Sequence, residues 1–206
     1  MKLPELVVAF WLIMSGNYYN DALKESMMRA FVAVEITDWG AVESISKFQS
    51  HAGIDAKPVE PHNLHFTLQF LGEVSTVAAE KIRAVLETIE FSTFTVSFKG
   101  VGAFPKPKFP RVIWIGTDEV GRRELQELSR KVGNVLGPLG FPTTTPFKPH
   151  ITVFRVKKKI EGITDKLEKF KSAEFGRQDV SLIKFKQSIL TPQGPVYSDL
   201  GEVEAA

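Results

Sequence analysis

Alternating apolar and polar positions predict strands over residues 29–36, 65–74, 94–98, 112–116, 150–156, 180–190 and 196–203. Between them, apolar residues recur at helical spacing. Val42, Ile45 and Phe48 form one stripe. Ala78, Ile82, Val85 and Ile89 form a second, and Leu125, Leu128, Val132 and Leu136 a third. A residue able to cap a helix stands before each stripe: Asp38, then Ser75 or Thr76, then Asp118. Gly137 and Pro138 end the third helix, and Thr164 or Asp165 opens a short fourth with Leu167 and Phe170. The order strand, helix, motif strand, helix occurs twice, with a turn-rich loop (53–63, then 140–149) before each motif strand. This pattern predicts an α+β fold of two lobes related by a rough internal two-fold around one cleft. No low-complexity linker divides the halves, so residues 28–206 read as a single bilobal domain.

The two motif strands open alike. His65, Phe66, Thr67 and Leu68 are echoed 85 residues later by His150, Ile151, Thr152 and Val153. A period of two puts each His and its Thr on one face of a strand and the apolar pair on the other. Two such strands facing each other would gather two imidazoles and two hydroxyls. That is a complete acid/base site with no metal and no nucleophilic side chain. Two core strands that each happen to hold a His and a Thr would be the plain structural alternative.

Composition narrows the chemistry. The chain of 206 residues is 43% apolar, enough for one well-filled domain. Twenty-six basic against 24 acidic residues give a net charge of +2, so any anion site must be local. With no Cys, disulfides, thiolate catalysis and Cys-zinc sites are excluded. Residues 6–14 form a nine-residue apolar run, too short to span a bilayer, and no small-residue cleavage pattern follows it. Residues 1–27 therefore read as an extension outside the fold. A chain starting at Met28 is expected to fold and turn over substrate like the full one; insolubility or loss of activity would put the extension in the core.

The paired motifs, set in LHFTLQFLGEV and FKPHITVFR, resemble the 2H phosphoesterase family. Within it they are most similar to the RNA 2′,3′-cyclic phosphodiesterases, also described as 2′-5′ RNA ligases. The resemblance spans about residues 28–203 and includes RAFVAVEI and VGAFPKPKFPRVIWIG. It implies a two-lobed fold that opens cyclic 2′,3′-phosphodiesters to 2′-phosphomonoesters without a cofactor or metal. His65 would protonate the departing 3′ oxygen and His150 would take a proton from the attacking water. Thr67 and Thr152 would hydrogen-bond the phosphate oxygens. The family pattern also favours Arg155 as a phosphate ligand, although strict alternation points it away from His150 unless the strand bulges.

Further candidates carry less chemistry. His51 and His62 lie in or beside a polar loop and read as solvated. Phe104, Phe109 and Phe147 sit in Pro-rich loops, where one could stack on a nucleobase or pin the loop to the core. Lys106, Lys108 and Arg111, or Lys157, Lys158 and Lys159, could grip an RNA backbone or be ordinary solvated charges. The expected partner is RNA ending in a 2′,3′-cyclic phosphate, or a small cyclic nucleotide, bound by a cytoplasmic monomer with no membrane contact. Ligation through 2′-5′ bonds at the same site, an RNA-end-binding module with a weak active site, and a His-metal site are the competing readings.

Overall fold

The computed structural model describes residues 26–206. Of the proposed extension, residues 1–25 lie outside the described residues. Met27 opens the first strand, β1 (Met27–Glu35), and pairs with Ser75. Asp38 then caps α1 (Trp39–His51), accepting the Ala41 amide at 2.8 Å. A two-residue strand, β2 (Lys57–Pro58), lies in the first turn-rich loop and leads to the motif strand β3 (His65–Ser75). Ser75 caps α2 (Thr76–Leu86). Next come β4 (Phe94–Phe104), β5 (Val112–Thr117), α3 (Glu119–Leu136) and the second motif strand, β6 (Ile151–Arg155). A short α4 (Ile163–Glu168) precedes β7 (Glu174–Val180), β8 (Leu182–Thr191) and β9 (Gly194–Glu204).

The strands follow one antiparallel path, β7-β4-β5-β6-β3-β1-β8-β9, with β2 pairing β6 off that path. At its centre the ladder narrows to a single β3–β6 register pair, Phe66 with Ile151. That pinch separates two four-stranded halves, which are the two lobes. The helices are exchanged across it. Helix α1 follows β1 yet packs on β6 and β7, while α3 follows β5 and packs on β3 and β4. The exchange is cemented by aromatic packing, since Phe48 of α1 lies 5.9 Å from Phe154, 4.9 Å from Phe170 and 5.2 Å from Phe175.

Three expectations are corrected. Strand β4 runs six residues past 98, because Gly100 at φ +74° carries a bulge and Gly102 admits the Trp114 ring, which a Cβ would meet at 2.2 Å. Strand β7 was not foreseen. Its inward residues are only Phe175, Gln178 and Val180, and Gln178 is spent on α1, accepting from the Thr37 and Asp38 amides at 2.7 and 3.1 Å. The buried face of α2 is Ala79, Ile82 and Leu86 rather than the stripe starting at Ala78. Among the described residues no helix is long and apolar enough to cross a membrane.

Candidate active site

The pinch between the lobes builds the site. Phe66 and Ile151 are completely buried and paired, so the residues on either side of each turn to the opposite face of the sheet. Those residues are His65 and Thr67 on β3, and His150 and Thr152 at β6. Antiparallel register directs His65 toward Thr152 and Thr67 toward His150. All four line one cavity of about 880 Å³.

Each imidazole is anchored alike. His65 Nδ1 lies 2.8 Å from the Asn63 carbonyl oxygen, and His150 Nδ1 lies 2.6 Å from that of Lys148. A carbonyl can only accept, so both Nδ1 atoms carry the proton and both Nε2 atoms are left for chemistry. An aromatic edge steadies each ring: Tyr197 stands at 87° to His65, 5.4 Å away, and Phe104 at 87° to His150, 5.0 Å away. Phe104 in turn leans on Trp114, seated over Gly102.

Burial pushes His65 down to about 4, with Lys186 and Arg155 adding to the fall, while the Asn63 carbonyl and the Glu35 carboxylate oppose it. Burial also lowers His150, opposed by the Lys148 carbonyl. With no anion between the rings His65 is therefore neutral at pH 7, where an unperturbed ring would be part-charged. A negative charge placed between the rings would reverse this.

The depression of His65 has a measurable cost. Above pH 6.5 the ring is neutral folded and unfolded, and contributes no pH dependence. As pH falls from 6.5 toward 4, the unfolded chain gains a proton that the folded chain refuses, so stability drops by up to about 3 kcal/mol. Denaturant midpoints at pH 7 and pH 4.5 should show a larger loss for the wild type than for His65→Ala. Equal losses would mean that the ring is not desolvated.

Arg155 lines the same cavity. Its face is switched by a bulge. On β5, Trp114 pairs with Thr152 and Ile113 with Phe154, so Val153 has no partner. Val153 and Phe154 are buried in succession and the alternation restarts one residue late. The bulged carbonyl of Val153 accepts from the Val59 amide at 2.9 Å and from Gln49 Nε2 of α1 at 2.8 Å.

The other candidates divide. His51 is exposed at the end of α1, and His62 is exposed on the cavity rim. Phe104 is committed to Trp114 and His150, and Phe147 packs on the core. Phe109 is half-exposed under Lys106 and Lys108, outside the cavity lining. Lys157 lines the cavity, Lys158 is exposed, and Lys159 pairs with Glu161 at 3.7 Å. Sequence reasoning overlooked an ion network around the buried Lys186. Lys186, 5% exposed, bonds both Glu35 and Asp199, and Lys184 reaches the same carboxylates at 3.0 and 2.6 Å. Glu35 stands directly across from His65 in the β1–β3 register, which brings the network beside the ring.

Two His-x-Thr strands meeting at one junction over one cleft define a two-histidine phosphoesterase architecture. The chain belongs to the LigT-like phosphoesterase family, whose description matches twice, over residues 41–114 and 115–197, one His-x-Thr motif in each. It is 45% identical over 174 residues to the RNA 2′,3′-cyclic phosphodiesterase of Archaeoglobus fulgidus, covering 84% of this chain and 98% of that protein. A protein of the same name from Aeropyrum pernix is 41% identical over 160 residues, covering 76% and 90%. Among solved structures, Escherichia coli LigT in its apo form superposes with a TM-score of 0.71 at 23% identity, covering 88% and 99%. A Thermus thermophilus protein superposes with a TM-score of 0.72 at 28% identity, covering 86% and 97%.

Proposed function

We propose that this protein is an RNA 2′,3′-cyclic phosphodiesterase that hydrolyses the terminal cyclic phosphate to a 2′-phosphomonoester by two-histidine acid/base catalysis without a metal. The names of its relatives support the reaction. The observation that carries the mechanism is the pair of imidazoles, each with Nδ1 tied to a carbonyl and Nε2 left for the shared cavity. His150, neutral, takes a proton from water as that oxygen bonds to phosphorus. His65, protonated, gives its Nε2 proton to O3′ as the P–O3′ bond breaks, leaving the phosphate on O2′. The phosphodiester anion offsets the desolvation that keeps His65 neutral, so the acid is loaded by its own substrate. Glu35 favours the charged ring and Lys186 and Arg155 disfavour it, so in this reading the substrate's own charge is what loads the acid. Thr67, Thr152 and Arg155 hold the non-bridging oxygens as charge spreads over them. Among the described residues no third His, Cys, Asp or Glu joins the two imidazoles, and two donors make an incomplete ligand set for zinc.

The test is an assay on RNA ending in a 2′,3′-cyclic phosphate, before and after dialysis against a chelator. Unchanged turnover with a 2′-phosphate product is expected. Loss of activity that a divalent metal restores would overturn the two-histidine mechanism and support metal catalysis.

A further inference from the structure

One end of the cleft holds more positive charge than a single phosphodiester needs. Past His150 and Thr152, Lys57 and Lys157 join Arg155 on the cavity wall. Lys57 is the cross-strand partner of Arg155 in the β2–β6 register. Lys157 follows Arg155 by one strand period, and the Val156 amide between them still bonds the Arg111 carbonyl at 2.9 Å, as in a ladder. Like charges directly opposite each other destabilise a sheet. Among the described residues none of the three is paired with a carboxylate, whereas Arg29, on the β1 side of the same cavity, meets Glu73 at 3.4 Å. Glu60 also lines the cavity but forms no ion pair with them.

The row is held in place from two sides. Strand β2 is only two residues long, and Gln49 of α1 clamps it to β6 by donating to the Val59 and Val153 carbonyls at 2.9 and 2.8 Å. From across the cleft, the Lys57 ammonium donates to the Gln193 carbonyl in the turn between β8 and β9. Lys57 is thus fixed facing Arg155, and an ammonium that spends one donor on a carbonyl keeps two for a ligand. Distance limits what that ligand is. At about 3.3 Å per residue, with the bulge absorbing one, Arg155 stands roughly 7 Å and Lys157 roughly 13 Å along the strand from Thr152. An anion held by Lys57 and Lys157 is therefore not another oxygen of the phosphate at Thr152. In an RNA chain the next anion is the phosphodiester that joins the terminal nucleotide to its neighbour.

We propose, on the reading of the site given above, that Lys57 and Lys157 form a second phosphate subsite, which holds the phosphodiester linkage on the 5′ side of the terminal nucleotide. Arg155 lies between the two anions. The subsite makes an RNA end a better ligand than a free cyclic nucleotide, and because it touches only phosphate it adds no sequence preference.

The experiment is calorimetric binding of three ligands to the full chain and to Lys57→Gln and Lys157→Ala. The ligands are adenosine 2′-phosphate, the adenosine dinucleotide ending in a 2′-phosphate, and the same dinucleotide with a neutral methylphosphonate link. Each substitution should weaken the phosphodiester-linked dinucleotide by about fivefold and leave the other two ligands within about twofold. The slope of log Kd against log salt for that dinucleotide should become shallower by about 0.7 in each variant. Melting should be unchanged, because both lysines are exposed. Equal weakening of all three ligands, weakening of none, or equal weakening of the two dinucleotides overturns the assignment. Turnover of cyclic-phosphate RNA by the wild type is measured in parallel. Its absence would sink the phosphodiesterase reading, while the contrast between charged and neutral links would still decide the subsite.

Discussion

His65→Ala and His150→Ala should each lower kcat on RNA ending in a 2′,3′-cyclic phosphate by about 10³-fold, and the double variant should cost little more than either single one. The non-additivity follows from the mechanism. In the proposed mechanism one ring removes a proton as the other supplies one, so losing either would stall the same transition state and leave the survivor nothing to assist. Folding is a poor alternative explanation. Both rings hang over the cleft, each tied by one hydrogen bond to a carbonyl two residues back, and neither belongs to the apolar core. The pH profile of the wild type should be bell-shaped, its two limbs belonging to the pair rather than to either residue. Because burial lowers both rings in the free protein, the kcat/KM optimum should lie below 6.5. The kcat profile should move upward once bound phosphate favours the imidazolium. Single-histidine variants that retain more than a tenth of wild-type kcat, or effects that multiply in the double variant, would refute paired catalysis.

What the sequence shows of this site is what the backbone dictates locally. His65 with Thr67, and His150 with Thr152, share a face because the strand period is two, and no distant contact is needed to know it. Capping by Asp38, Ser75 and Asp118 is legible for the same reason, since each acts within three residues. The placement of Arg155 is not local. Alternation sends it away from His150, and only the bulge at Val153, held by Gln49 from 104 residues away, brings it back. The burial of Lys186 is equally non-local, since one of its carboxylate partners, Glu35, lies 151 residues distant. Strand β7 escaped because an edge strand with one exposed face needs few apolar residues, and Gln178 spends its polarity on a helix cap that the sequence does not announce. The five-residue offset from His150 to Arg155 is plain in the sequence, but only the bulge gives it meaning.

Thr67→Val and Thr152→Val should each reduce kcat/KM by about 10²-fold while leaving the melting temperature nearly unchanged. Valine keeps the branched shape that a strand favours and removes only the hydroxyl, so the variant tests a donor rather than a volume. Register gives the hydroxyls the position that the proposed role requires. Each Thr is half-buried on the cleft face, directed toward the opposite lobe's His, where the non-bridging phosphate oxygens would lie. Donors fixed in a partly dehydrated cleft stabilise charge that grows on those oxygens as the bond to O3′ breaks, so their loss should fall on the transition state more than on substrate binding. KM should therefore change less than kcat, and Thr→Ser, which restores the donor with a smaller side chain, should recover most of the activity. The limbs of the pH profile should stay in place, because neither hydroxyl titrates. Undiminished activity in both Val variants, with melting unchanged, would remove Thr67 and Thr152 from the phosphate site and leave Arg155 as its principal electrostatic contact.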